Sequence, residues 1–223
     1  MKNVPIYLIL LILFGCNVRT KDNTEIDSFK GELIKKEGTK AIGNINFFIS
    51  EDEFKKQKEI FLKQLRDTVF ITQNQSNGGY KSIKCKLGEY YIKDIKGDFF
   101  NDSLYSITIY GDGYSNHSYP QLMPGQYKSL LSILTEKYGK PDENIELPYQ
   151  PSTSIIGDIL AKWNLGFKNL NIFLGYSYES NGDNYHVNFY YYVPEIRDRK
   201  EKIEKELKEE QSNTVNKKAI ESL

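Results

Sequence analysis

The alternation of apolar and polar residues predicts six strands in two groups of three, each group preceded by an amphipathic helix. The first helix is predicted to begin after Ser50, because Ser50 followed by Glu53 matches the capping-box pattern. The second helix is expected to start at Pro124 and to end at Gly139. The six strands are predicted near residues 80–87, 89–100, 104–110, 155–165, 169–178 and 184–193.

This order of elements predicts an α+β fold, in which an antiparallel sheet, or two such sheets, has the helices packed on one face. We expect two helix-plus-three-strand units, although the halves share no clear residue identity and the repeat is inferred from pattern alone. A further short strand is predicted over residues 45–49. Residues 195–211 are almost continuously charged, which predicts a solvated C-terminal helix.

The N-terminus carries a short apolar run between Lys2 and the dipeptide Gly15-Cys16. The run covers residues 4–14, about half of the ~20 apolar residues that a membrane-spanning helix needs. Its length is typical of the core of a signal peptide. The alternatives are an ordinary secretory signal with a chance cysteine, or a buried N-terminal helix.

The four residues Leu13-Phe14-Gly15-Cys16 resemble the lipobox of bacterial lipoproteins, with Phe14 bulkier than the usual residue there. The resemblance implies cleavage before Cys16 and attachment of fatty acids such as palmitate to the cysteine. Two or more acyl chains hold a protein stably on a membrane, whereas one holds it only marginally. Asn17, where an Asp would favour the inner membrane, favours the outer membrane of the cell envelope by the same resemblance.

Four segments are therefore predicted: a signal peptide over residues 1–15, a flexible tether over 16–40, an α+β body over 41–194 and a charged helical tail over 195–223. The tether is predicted from its polar composition, which offers few apolar residues to bury. The run Tyr138-Gly139-Lys140-Pro141 resembles the helix end of small envelope lipoproteins of the β-lactamase-inhibitor-protein type. That resemblance implies repeated helix-plus-sheet units.

Composition and charge argue against several classes of function. The chain has 30 basic and 30 acidic residues, and removal of Lys2 with the signal peptide would leave 29 and 30. Such balance creates no field that would attract nucleic acid. Two histidines without close spacing predict neither a metal site nor a metal cofactor. Cys85, the only other cysteine, is expected to be a buried, inert thiol without a disulfide partner.

The candidate binding residues are Tyr110, Tyr114, His117 and Tyr119, in and beside a predicted loop over residues 111–123. Tyrosine offers contact area with a polar tip, and long loops on rigid scaffolds often carry function. The alternative is that tyrosines simply fill strand faces. His186 is predicted to share a strand face with Asn188 and Tyr190, and both histidines are interpreted as surface polar residues.

Three roles follow from these observations. The leading hypothesis is a non-enzymatic binding or interaction module, anchored in the cell envelope through lipid on Cys16 and able to contact another envelope protein. The second is an inhibitor or immunity-type lipoprotein that occludes an envelope enzyme. The third is a hydrolase using His117 or His186, although no Gly-x-Ser-x-Gly motif occurs. No cofactor is predicted for any of them.

Overall fold

The computed structural model describes Gly31 and residues 39–71, 80–149, 156–179 and 182–221. The chain divides into two compact units, Met1–Thr39 and Lys40–Leu223, and the fold described below is that of the second unit. The predicted signal peptide, Cys16 and nearly all of the predicted tether lie outside the described residues. Those predictions therefore stay predictions.

The described fold contains three helices and ten strands, and all strand pairs are antiparallel. The elements are α1 (Glu51–Gln64), α2 (Tyr119–Tyr138), α3 (Pro194–Glu221), β1 (Lys40–Ile42), β2 (Ile45–Asn46), β3 (Arg66–Ile71), β4 (Tyr80–Leu87), β5 (Tyr90–Phe100), β6 (Ser103–Ser115), β7 (Glu143–Asn144), β8 (Ile159–Leu165), β9 (Lys168–Glu179) and β10 (Gly182–Tyr192). Strands β1 and β2 form a separate two-stranded sheet, and the other eight form one sheet in the order β3-β4-β5-β6-β10-β9-β8-β7. This architecture confirms the predicted α+β class.

The two halves of the chain meet edge to edge in the middle of the large sheet. The last strand of each half forms this seam, where Ile107 of β6 faces Tyr191 of β10 and Ile109 faces Phe189. One half contributes α1 with β4, β5 and β6, and the other contributes α2 with β8, β9 and β10. These are the two predicted helix-plus-three-strand units. The outer strands β3 and β7 were not predicted.

Helices α1 and α2 pack on the same face of the sheet and enclose the core with it. The ring of Phe54 in α1 lies 5.8 Å from Phe99, and the ring of Tyr138 in α2 lies 6.2 Å from Tyr191. Full burial of a large apolar side chain contributes about 1.5–3 kcal/mol, so this layer contributes strongly to the stability of the fold. Its fully buried members include Leu104, Ile107, Ile109, Leu170, Ile172 and Phe189.

The helix boundaries follow from their end residues. Ser50 accepts a hydrogen bond at Oγ from the amide of Glu53 at 3.4 Å, which confirms the predicted start of α1. The prediction that α2 starts at Pro124 is wrong, because the helix begins at Tyr119 with Pro120 in its first turn. Its predicted end is confirmed, and Gly139 has φ +84, a conformation that favours glycine.

Strand β2 is shorter than the predicted strand over residues 45–49. It contains only Ile45 and Asn46, and Phe48 has φ +66, which no extended strand residue adopts. The chain therefore turns here. Phe48 donates its amide hydrogen to the Leu104 carbonyl at 2.8 Å, which ties this turn to the large sheet.

The predicted charged helix is confirmed as α3, which starts at Pro194 and extends to Glu221. Its first turns contact the body, because Ile196 is buried and the Arg197 guanidinium lies 4.3 Å above the Tyr192 ring. Residues 204–215 are exposed. Among the described residues, no helix combines the length and apolarity needed to span a membrane.

Candidate functional site

The face of the large sheet opposite α1 and α2, called here the open face, carries a row of buried polar side chains. Along β10, Val187, Phe189 and Tyr191 are buried with the core, while the residues between them lie on the open face. Buried polar side chains are more informative than exposed apolar ones, because burial is costly unless they are hydrogen-bonded. Those on the open face are Ser106, Asn171, Asn184, His186 and Asn188.

A bulge in β6 organises the centre of this face. His186 pairs with Gly113 but Asn188 pairs with Tyr110, so β6 has one residue more than β10 between these pairs. Gly111, within the bulge, donates its amide hydrogen to Asn188 Oδ1 at 3.1 Å. Its carbonyl oxygen lies 3.2 Å from His186 Nδ1. One backbone residue therefore orients both side chains, and bulges of this kind are enriched next to active sites.

Two further glycines give these side chains their space. A Cβ atom at Gly113 would lie 2.6 Å from His186 Cε1, and one at Gly175 would lie 2.2 Å from Asn188 Nδ2. Both distances are far below van der Waals contact. The imidazole and the amide therefore lie flat across the neighbouring strands only because these positions lack side chains.

His186 is hydrogen-bonded at both ring nitrogens. Its Nε2 atom lies 2.7 Å from the Oγ atom of Ser177 on β9, and its Nδ1 atom faces the Gly111 carbonyl. The residue is only 6% exposed, so its interpretation as a surface polar residue is wrong. His117, in the turn over residues 116–118, is exposed as predicted.

Two clefts lie on the open face and share Phe173 as a wall. The His186 cleft has a volume of about 340 Å³, and the Tyr192 cleft has a volume of about 280 Å³. The His186 cleft is lined by Lys93, Asp94, Lys96, Tyr110, Phe173, Gly175, Tyr176, Ser177, His186 and Asn188. The Tyr192 cleft is lined by Asp98, Tyr105, Ser106, Thr108, Phe173, Tyr190, Tyr192 and Arg197.

The charged and phenolic groups around the His186 cleft are held by specific partners. Burial would raise the pKa of the Asp94 carboxyl, but hydrogen bonds from Lys58 at 2.9 Å and from the Ile95 amide at 2.7 Å lower it on balance. A hydrogen bond to Asp183 raises the pKa of the Tyr176 hydroxyl to about 12. Asp94 and Tyr176 are therefore an anion and a neutral phenol at neutral pH.

The predicted binding residues do not form one surface. Only Tyr110 lines a cleft on the open face, whereas Tyr119 is fully buried in α2 with its ring 5.5 Å from Tyr185. Tyr114 is half-buried in β6, and burial raises the pKa of its hydroxyl to about 12. The predicted loop over residues 111–123 is wrong, because residues 111–115 belong to β6 and α2 begins at residue 119.

Sequence reasoning missed Ser177 and the three glycines of the open face. The available signal was the alternation along β10, which correctly placed His186, Asn188 and Tyr190 on one strand face.

The prediction that Cys85 is buried is wrong, because the residue is half-buried and its thiol donates to the Leu62 carbonyl at 3.6 Å. Within the described ranges, no three His, Cys, Asp or Glu residues are grouped as metal ligands would be.

No known protein family, no curated protein and no solved structure matches this chain. Function is therefore inferred from the fold and from the residues of the open face.

Proposed function

We propose that the chain is a bacterial envelope lipoprotein, held on the membrane by lipid on Cys16, that binds another envelope protein through the open face. The observation that carries the binding role is the row of buried polar side chains at the centre of that face. A solvated sheet face needs no such row, because its polar residues can stay exposed. Here Gly113 and Gly175 make room for His186 and Asn188.

The aromatic content of the open face supports recognition of a protein partner. The rings of Phe173 and Tyr190 are 5.5 Å apart, those of Tyr190 and Tyr192 are 5.3 Å apart, and Arg197 covers Tyr192. Tyrosine and arginine are enriched among the residues that dominate binding energy at protein interfaces. The two clefts beside this row would accept side chains of the partner.

The anchor is supported by the short apolar run that ends at Cys16. In the native host, Cys16→Ser is expected to move the protein from the membrane fraction to the soluble fraction, because membrane affinity depends on the acyl chains. Immunoblots of fractionated cells and intact mass spectrometry measure this result. Cys85→Ser is the matched control and should stay on the membrane. A wild-type protein that carries no fatty acid by mass, or a Cys16→Ser protein that stays on the membrane after losing residues 1–15, would contradict the anchor.

The binding face is tested with two matched lysines. A photo-crosslinking amino acid replaces either Lys96, exposed beside the His186 cleft, or Lys128, exposed on α2. In intact cells we expect one discrete adduct with an envelope protein from position 96 and none from position 128. Adducts of equal yield from both positions, or from position 128 alone, would exclude the open face as the binding surface.

A further inference from the structure

The tautomer of His186 follows from its partners. The Gly111 carbonyl oxygen can only accept a hydrogen bond, so the imidazole nitrogen facing it, Nδ1, carries a hydrogen. In the neutral ring the other nitrogen, Nε2, then carries the lone pair. The Ser177 hydroxyl, 2.7 Å away, donates its hydrogen to that lone pair. This is the arrangement of a nucleophile with its general base, oriented by a third group.

The same bulge holds a hydrogen-bond donor in the cleft that this pair lines. Asn188 is held at Oδ1 by the Gly111 amide, and its Nδ2 atom lies over Gly175, two residues before Ser177 on β9. Ser177, His186 and Asn188 all line the His186 cleft. A side-chain amide in a partly dehydrated cleft is a group that can stabilise the oxyanion formed during acyl transfer.

We propose that Ser177 is a nucleophile for acyl transfer from carboxylic esters, with His186 as its general base and Asn188 as the oxyanion donor. The Ser177 oxygen bonds to the acyl carbon while its proton moves to His186 Nε2. The ester C–O bond then breaks, and the leaving alkoxide takes that proton. A water oxygen then bonds to the acyl carbon and gives its proton to His186 Nε2. The bond to the Ser177 oxygen breaks, the Ser177 oxygen takes that proton back, and the carboxylic acid leaves. This acyl transfer takes place on the proposed binding face. Docking of a partner protein on that face does not require the acyl transfer.

The test uses the full chain in detergent and an alkyl fluorophosphonate. Attack by Ser177 forms an O–P bond and releases fluoride, so intact mass spectrometry should show one adduct, and peptide mapping should place it at Ser177. Ser177→Ala should abolish the adduct. His186→Gln should slow its formation about 100-fold or more, which is the usual contribution of a general base. In both variants, release of p-nitrophenol from p-nitrophenyl butyrate should fall together with adduct formation.

Ser115→Ala is the matched control, because Ser115 is a hydrogen-bonded serine of the same sheet that lies 3.1 Å from Ser118 Oγ. The Ser115→Ala variant should be labelled at the wild-type rate.

If circular dichroism shows that His186→Gln does not fold, Ser177→Cys in a Cys85→Ser background replaces that variant. Its thiol, beside the imidazole, should react with iodoacetamide at least ten-fold faster than Cys85 in the wild type. No adduct at Ser177, equal labelling of Ser115, or an ordinary thiol rate would overturn the proposal, whatever the crosslinking from position 96 shows.

Discussion

Gly111→Ala is expected to destabilise the fold by about 3 kcal/mol, near the upper end of the cost of overpacking. A Cβ atom there would lie 2.4 Å from the Val187 carbonyl oxygen and 2.8 Å from the Tyr90 hydroxyl. These two groups are themselves joined by a hydrogen bond of 2.7 Å in the core. Because one obstacle is backbone of the adjoining strand, no rotamer change relieves the clash.

The measurement is equilibrium unfolding in denaturant, followed by far-ultraviolet circular dichroism. Gly125→Ala is the matched control, because a Cβ atom there meets nothing within 4 Å and the residue is exposed in α2. Alanine in a helix interior is favoured over glycine by about 0.5–1 kcal/mol, so this variant should be more stable than the wild type. An unchanged midpoint for Gly111→Ala would show that the bulge can open to admit a side chain.

Trp163→Ala is expected to cost about 3–5 kcal/mol, the range for removal of a large buried aromatic side chain. Trp163 in β8 is 1% exposed and donates from Nε1 to the Gly139 carbonyl at 2.8 Å. It therefore joins the C-terminal end of α2 to the sheet. Its loss leaves both a cavity and a carbonyl without this donor.

Trp163→Phe keeps most of the apolar area but removes the indole donor and part of the ring volume. We expect it to cost about 1–2 kcal/mol, from the lost hydrogen bond and a small cavity together. Trp163 is the only tryptophan, so circular dichroism must replace fluorescence as the probe for both variants. Tyr149→Ala, at a residue 75% exposed, should change stability by less than about 0.5 kcal/mol. Equal losses for Phe and Ala at position 163 would argue that the cavity contributes nothing.

The sequence predicted elements whose signals are local. Ser50 with Glu53 marked the start of α1, and Gly139 marked the end of α2. Ser50 acts through a hydrogen bond of its own side chain, and Gly139 acts through its positive φ of 84°. Such features can be read from a few neighbouring residues.

The buried polar residues of the open face could not be predicted from short stretches of sequence. Gly111 and Gly113 fall in the predicted loop over residues 111–123, whereas they lie inside β6 and make room for side chains of β10 and the core. His186 is buried because Gly113 and Ser177, on two different strands, surround it. The same limit applies to Tyr119, whose burial depends on Tyr185. Each of these outcomes depends on strand pairing that no short window of sequence contains.

The pairing of β6 with β10 also determines the stage of synthesis at which the large sheet can form. Gly111 and His186, which meet there, are 75 residues apart in the chain, so the middle of the sheet closes only after almost all of the body has been synthesised. Until then β6 has an unpaired edge beside Ile107 and Ile109. Contacts this distant slow folding, and unpaired edges invite aggregation. A chain truncated before β10 is therefore expected to aggregate more readily than the full chain.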